Sequence, residues 1–206
     1  MKIIDLTHEL NDDIREYPGD SKFQIRKIKE FNKDGYELSD VVTNMHIGTH
    51  VDVARHLSNN KKYLSDYSLE TFIGNAVVLD FKDCVEIDWK DEFDEIVQNE
   101  DIVLIYTGFD RFFNEEKYYH DYPIVSLEFA KQIVKKKVKV LGIDMPSPDY
   151  YPFKIHQFLF EKDIPIVENL TGLERLIGAK FITFYGVPIK IRGEAGIMRA
   201  FALKNE

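Results

Sequence analysis

The chain has 206 residues, of which 44% are hydrophobic and 31% charged, with 15 Phe and 11 Tyr, so it carries enough apolar area to fold around a core and too much to stay disordered. A net charge of −9 would repel a phosphate backbone and excludes nucleic acid as an expected partner. The single cysteine, Cys84, excludes an internal disulfide framework and a multi-thiolate zinc site, leaves a metal held by His and carboxylate open, and suits a reducing cytoplasm.

The chain starts MKIIDLTHEL, where Asp5, His8 and Glu9 interrupt any apolar signal region, and no later apolar run approaches the ~20 residues that span a bilayer. A soluble, unexported protein in the cytoplasm is expected, with no membrane partner. KIIDLTHEL itself reads as a first strand, and FQIRKIKEF at 23–31 as a second, with Phe23, Ile25 and Lys27 on one face and Gln24 and Arg26 on the other. GNAVVLDF at 74–81 follows as a third, and a short helix is predicted over 91–99. IVLIYTG at 102–108 and VKVLGID at 138–144 are short apolar runs ending at Gly or just past it, the pattern of central strands buried on both faces. Between them Ser126 precedes LEFAKQIVKKK, with Leu127, Ala130, Ile133 and Val134 at helical spacing, Glu128 in the first turn and lysines in the last. The run KKKVK at 135–139 is therefore a solvated helix end, not a binding patch. Shorter helices are predicted over 155–162 and 171–178, and FITFYGVPI and GIMRAFAL close the chain as strands. No linker, low-complexity tract or repeat divides it, so one α/β domain over 1–206 is expected.

Three of the six histidines fall within HIGTHVDVARH, as His46, His50 and His56, with Asp52 between the last two. In a strand, residues two apart face the same way, so His50 and Asp52 project together, and a turn at Gly48 can bring His46 to the same point. Such a set offers three ligands to a divalent metal and leaves a position for water, as catalytic sites do. It is not the H-E-x-x-H helix, because Ile47, Gly48 and Thr49 disfavour one. The alternative is a chance cluster whose imidazoles pair with water, backbone or Asp52.

HIGTHVDVARH closely resembles the H-x-G-T-H-x-D-x-P-x-H signature of the bacterial cyclase family, which includes bacterial kynurenine formamidases, isatin hydrolases and related metal-dependent amide hydrolases. The resemblance covers most of the chain, since IIDLTHEL with YPGD at 17–20, YTGF at 106–109, GIDMPSPD at 142–149, IVENL at 166–170 and MRAFAL follow in family order. It implies a fold of the swivelling β/β/α type with a central mixed sheet, and a homodimer or higher oligomer. It also implies that His46, His50 and Asp52 hold one metal, while His156 and Glu168 complete a second site bridged by Asp52. One or two divalent ions are then expected, Zn2+ ahead of Mn2+ because imidazoles are prominent in the donor set. His56 is similar to the family's histidine near the metal that does not ligate it, and an imidazole of pKa near 6.5 suits general acid/base work, the alternative being a histidine that only braces a metal ligand.

The function implied is hydrolysis of a small aromatic amide by metal-activated water, with N-formylkynurenine, and so tryptophan breakdown, as the leading case. An isatin-like lactam or another small amide is the alternative, and a metal-containing binding protein without catalysis is the alternative of another class. The chain departs from the signature at Ala54, where the family has Pro, and at Arg55. Losing Pro frees the backbone before His56, and Arg55 points either to solvent or toward the pocket, where it would favour a carboxylate-bearing substrate. In the family the segment Tyr17, Pro18 and Gly19 lies near the substrate and Phe109 offers a second wall, with core packing the default alternative for either ring, and both stay outside the catalytic set.

Overall fold

The structure, a computed structural model, describes residues 1–205. In chain order these form β1 (Lys2–Asp5), β2 (Gln24–Lys29), α1 (Phe31–Asp34), β3 (Leu38–Val42), β4 (His50–Asp52), β5 (Ile73–Asp80), β6 (Glu86–Ile87), α2 (Phe93–Ile96) and β7 (Ile102–Tyr106). There follow β8 (Ile124–Val125), α3 (Leu127–Lys135), β9 (Val140–Ile143), α4 (Lys154–Phe160), β10 (Ile166–Glu168), β11 (Phe181–Pro188) and β12 (Ala195–Asn205), with short 3-10 turns between.

Eight strands make one mixed sheet in the order β1-β12-β11-β5-β7-β9-β10-β4, and β4 also pairs with β12, so the sheet closes on itself like a barrel. β5, β7, β9 and β10 run parallel to their neighbours, while β11, β12, β4 and β1 join antiparallel. This is the α/β fold with a central mixed sheet that the sequence leads one to expect.

The core explains why the apolar runs lack alternation. In β7, Ile102, Leu104 and Tyr106 join the cluster that also holds Val51, Phe184 and Ala200. Val103 and Ile105 point the other way, into a second cluster with Phe129 and Ile133 of α3 and Leu159 and Phe160 of α4. Both faces are therefore dry, and a period of two leaves no polar phase to show. Burying Phe129 and Ile133 stabilises the helix–sheet contact by about 1.5–3 kcal/mol each. The start of α3 is held by the Ser126 Oγ, which accepts from the Phe129 N–H at 3.0 Å and contributes about 1 kcal/mol.

Several elements differ from expectation. KIIDLTHEL is a strand only to Asp5, after which Thr7 makes a single bridge to Leu170. The segment at 23–31 is strand over Gln24–Lys29, but it pairs only with β3, which the sequence did not suggest, in a ribbon outside the main sheet. Ile25 sits opposite Val41 there, and both are exposed. The helix over 91–99 shortens to Phe93–Ile96, and 171–178 holds only a 3-10 turn, Leu173–Leu176. No helix among the described residues is long and apolar enough to cross a membrane.

Candidate metal centre

β4 is three residues long, yet it carries the centre because it is pinned from both sides. It pairs with β10 in a register that sets Glu168 opposite His50, and with β12 through Ala195–Ile197. Val51 turns into the core, so His50 and Asp52 turn together to the other side, where both are buried. Gly48 has φ 58°, and a Cβ there would come within 2.6 Å of the Leu10 side chain, so glycine is favoured at the bend that returns His46 to this side. His156 arrives from the first turn of α4 and is also buried.

Five side chains converge. His46 Nδ1 lies 2.9 Å and His50 Nε2 3.3 Å from Asp52 Oδ1, His50 Nε2 lies 3.4 Å from Glu168 Oε2, and His156 Nε2 lies 3.2 Å from Glu168 Oε1. His46, His50 and Asp52 form one group able to hold a cation, Asp52, His156 and Glu168 another, and Asp52 belongs to both. His50 Nε2 and Asp52 Oδ1 face each other without the alignment of a hydrogen bond, leaving both buried atoms unpartnered. Orphaned buried atoms on both an imidazole and a carboxylate fit a shared cation better than they fit each other.

The outer ring nitrogens are already engaged. His50 Nδ1 lies 2.9 Å from the Gly48 carbonyl, which can only accept, so Nδ1 carries a proton and Nε2 is the nitrogen turned to the cluster. Asn169 steadies that carbonyl with its own amide at 2.8 Å. His156 Nδ1 lies 2.6 Å from Asp149 Oδ1, and the other Asp149 oxygen accepts from the Ile155 N–H at 2.6 Å. One carboxylate thus orients the ring and ties down the start of α4.

Burial works against a charged His50, but Asp52 and Glu168 outweigh it and raise its pKa to about 10. His156 rises to about 9 against the same burial, driven by Asp149 and Glu168. Asp52, despite full burial, is held well below the usual carboxylate range by His46 and His50. A field that retains protons on buried imidazoles is one that also favours a divalent cation.

His56 lies with its Nε2 3.8 Å from Asp52 Oδ2 and its ring 4.4 Å from that of His46. Burial lowers its pKa, with Asp52 opposing, so it is inclined to be neutral. The missing proline does not free the backbone: Ala54 is buried and the His56 N–H donates to the Val53 carbonyl at 2.8 Å, closing the turn. Arg55 faces away from the site, its guanidinium 4.0 Å over the Tyr63 ring and bonded to the Lys61 carbonyl at 2.7 Å.

All six residues named so far as site members line one cavity of about 250 Å³, with Tyr17, Tyr119, Leu57 and Phe153 as its apolar walls. Phe109 does not line it; the ring stacks 5.5 Å from Tyr118 and borders a different cavity. Pro18 likewise lines a neighbouring cavity. Of the remaining histidines, His8 lies flat against Phe113 at 3.6 Å and His120 is exposed beside the neighbouring cavity. Asp149, Asn169 and Tyr119 were not singled out from sequence. GIDMPSPD contains Asp149, but nothing local says that it meets His156.

Residues 4–150 match the family model described as Putative cyclase. An uncharacterised protein of Methanocaldococcus jannaschii is 31% identical over 197 residues, 93% of this chain and 92% of its own length. A kynurenine formamidase of Bacillus cytotoxicus is 28% identical over 172 residues, 81% of each chain. Among solved structures, isatin hydrolase A from Labrenzia aggregata superposes with a TM-score of 0.85 at 20% identity, covering all of this chain and 94% of the other. A chain from Bacillus stearothermophilus described as a predicted metal-dependent hydrolase gives 0.77 at 19% identity, covering 98% and 97%.

Proposed function

The chain belongs to the cyclase family, and on that premise we propose that it is a metal-dependent hydrolase of small aromatic amides, with an N-formylated aryl amine of the kynurenine type as leading substrate and an isatin-like lactam as second. The observation that carries this reading is the shared carboxylate: Asp52 stands in both cation-holding groups, at the floor of one cavity that His56 also faces. His46, His50 and Asp52 would hold one divalent ion, and His156 and Glu168 with Asp52 a second. Imidazole and carboxylate donors without sulfur place zinc first and manganese next. When bound, such an ion supplies a water of pKa near ~7 and polarises the substrate carbonyl.

The chain's own residues do the rest. His56, neutral because burial lowers its pKa, takes the proton from the attacking water as oxygen bonds to the carbonyl carbon. It returns that proton to the nitrogen as the C–N bond breaks, so a formanilide yields formate and the free amine. Tyr17, Phe153 and Leu57 hold the ring and keep bulk water from the floor. A cavity of roughly 150 Å³ accommodates benzene, so 250 Å³ admits one ring with a short chain.

The direct test is N-formylkynurenine hydrolysis by the purified protein, before and after chelation and with zinc or manganese restored. Turnover lost with chelator and regained with metal is the expected result; full metal content with no turnover on a panel of aryl formamides and lactams would leave a metal-binding protein without this catalysis. A second expectation concerns Asp149. Asp149→Ala should weaken the ion held by His156 and Glu168 about 10–100-fold in a titration of metal-free protein, since His156 loses the group that orients it. Unchanged affinity for both ions would detach Asp149 from the centre.

A further inference from the structure

The cavity has an uneven charge at its mouth. Among the described residues that line it, Asp20 is the one charged group outside the convergent histidines and carboxylates of the floor, and none is Lys or Arg. Asp20 is exposed whereas the floor is buried, which puts it at the outer end. Its backbone is set by a tight turn: the Asp20 N–H donates to the Tyr17 carbonyl at 3.0 Å, across Gly19 with φ 99°, a value that calls for glycine. Its carboxylate makes no ion pair with any described residue.

Three of the polar side chains lining the cavity have their donors engaged. Tyr119 donates its hydroxyl to the Arg15 carbonyl at 2.7 Å, Ser147 donates to the Asp149 carbonyl at 2.6 Å, and Asn169 donates to Gly48. Arg55 is turned away over Tyr63. Arg15 and Lys22 line a separate cavity on the far side of Pro18 and Tyr119, in the company of four carboxylates.

From this placement we infer that the pocket selects aromatic amides carrying an ammonium group on the side chain over those carrying only a carboxylate, and that Asp20 is the residue that reads this charge. The inference rests on the amide-hydrolase reading and narrows its substrate class. An ammonium at the mouth meets an unpaired carboxylate carried on a tight turn, whereas a carboxylate there meets like charge. The contact is remote from the scissile bond, so it acts on KM more than on kcat.

The test compares three formanilides: N-formylkynurenine, its decarboxylated analogue, which keeps only the ammonium, and its deaminated analogue, which keeps only the carboxylate. In the wild-type enzyme kcat/KM should be at least about tenfold higher for the ammonium compound than for the carboxylate compound, a difference of about 1.4 kcal/mol, with N-formylkynurenine between. Asp20→Asn should cut that ratio at least about threefold through KM, and Asp20→Lys should reverse it. Equal kcat/KM for the three in the wild type, or a ratio unmoved in both variants, overturns the inference. Calorimetric binding of the corresponding free amines, the deformylated products, is measured alongside. If none of the three is hydrolysed but the ammonium product binds more tightly than the carboxylate product, the amide-hydrolase reading falls and the charge preference stands; equal binding overturns the preference.

Discussion

Replacing His50 with alanine should strip the centre of metal and lower kcat/KM at least about 10³-fold, since the several kcal/mol of charge stabilisation a bound ion supplies at the carbonyl go with it. His50 has this weight because its Nε2 touches both groups, at 3.3 Å from Asp52 and 3.4 Å from Glu168. The variant also leaves two buried carboxylates facing an empty volume, so some loss of stability accompanies the loss of metal. Metal content is therefore to be read by elemental analysis on protein that still unfolds cooperatively. Full content would remove His50 from the ligand set.

His56→Ala should behave in the opposite way toward the metal. His56 touches Asp52 only at 3.8 Å and stands outside both cation-holding groups, so the ion content should stay at the wild-type level. Turnover should fall about 10²- to 10⁴-fold, the usual contribution of a positioned acid/base, with KM little changed because the cavity walls remain. Added imidazole, small enough for the space vacated, should restore part of kcat. Unchanged kinetics would remove the acid/base role, and loss of metal would make His56 a ligand.

How far the sequence reaches depends on how local the information is. The helix after Ser126 was legible because its cap, its apolar spacing and its terminal charges agree within eleven residues, and α3 starts where they say. The turn at Gly48 and the common direction of His50 and Asp52 were legible for the same reason. His156 and Glu168 had no such local signal. Glu168 meets His50 only because β10 lies antiparallel to β4 in one register, a fact of topology between segments more than a hundred residues apart. Family resemblance brought them in, and the geometry now puts both beside Asp52. Asp149 and Asp20 escaped because a loop carboxylate looks alike whether it orients a ligand, faces a cavity mouth or faces water. The strand within 23–31 was legible from its alternation, but its pairing with β3 was not, because the exposed residues of Leu38–Val42 carry no strand pattern of their own.

The closure of the sheet by β4 also bears on the order in which the molecule assembles. β5, β7 and β9 join neighbours along the chain through connections that can form early, whereas β4 must find β10 and β12 from the far half of the sequence. Pairings of such separation carry a large loop-closure cost and come late in folding. The centre is built on strands joined by such long-range pairings. A cation that needs Asp52, His156 and Glu168 together would thus recognise only the finished ring, and its free concentration would set how strongly the closed form is favoured over open ones. Refolding kinetics followed with and without added zinc would then differ in the unfolding rate and in the final amplitude, and hardly at all in the early phase.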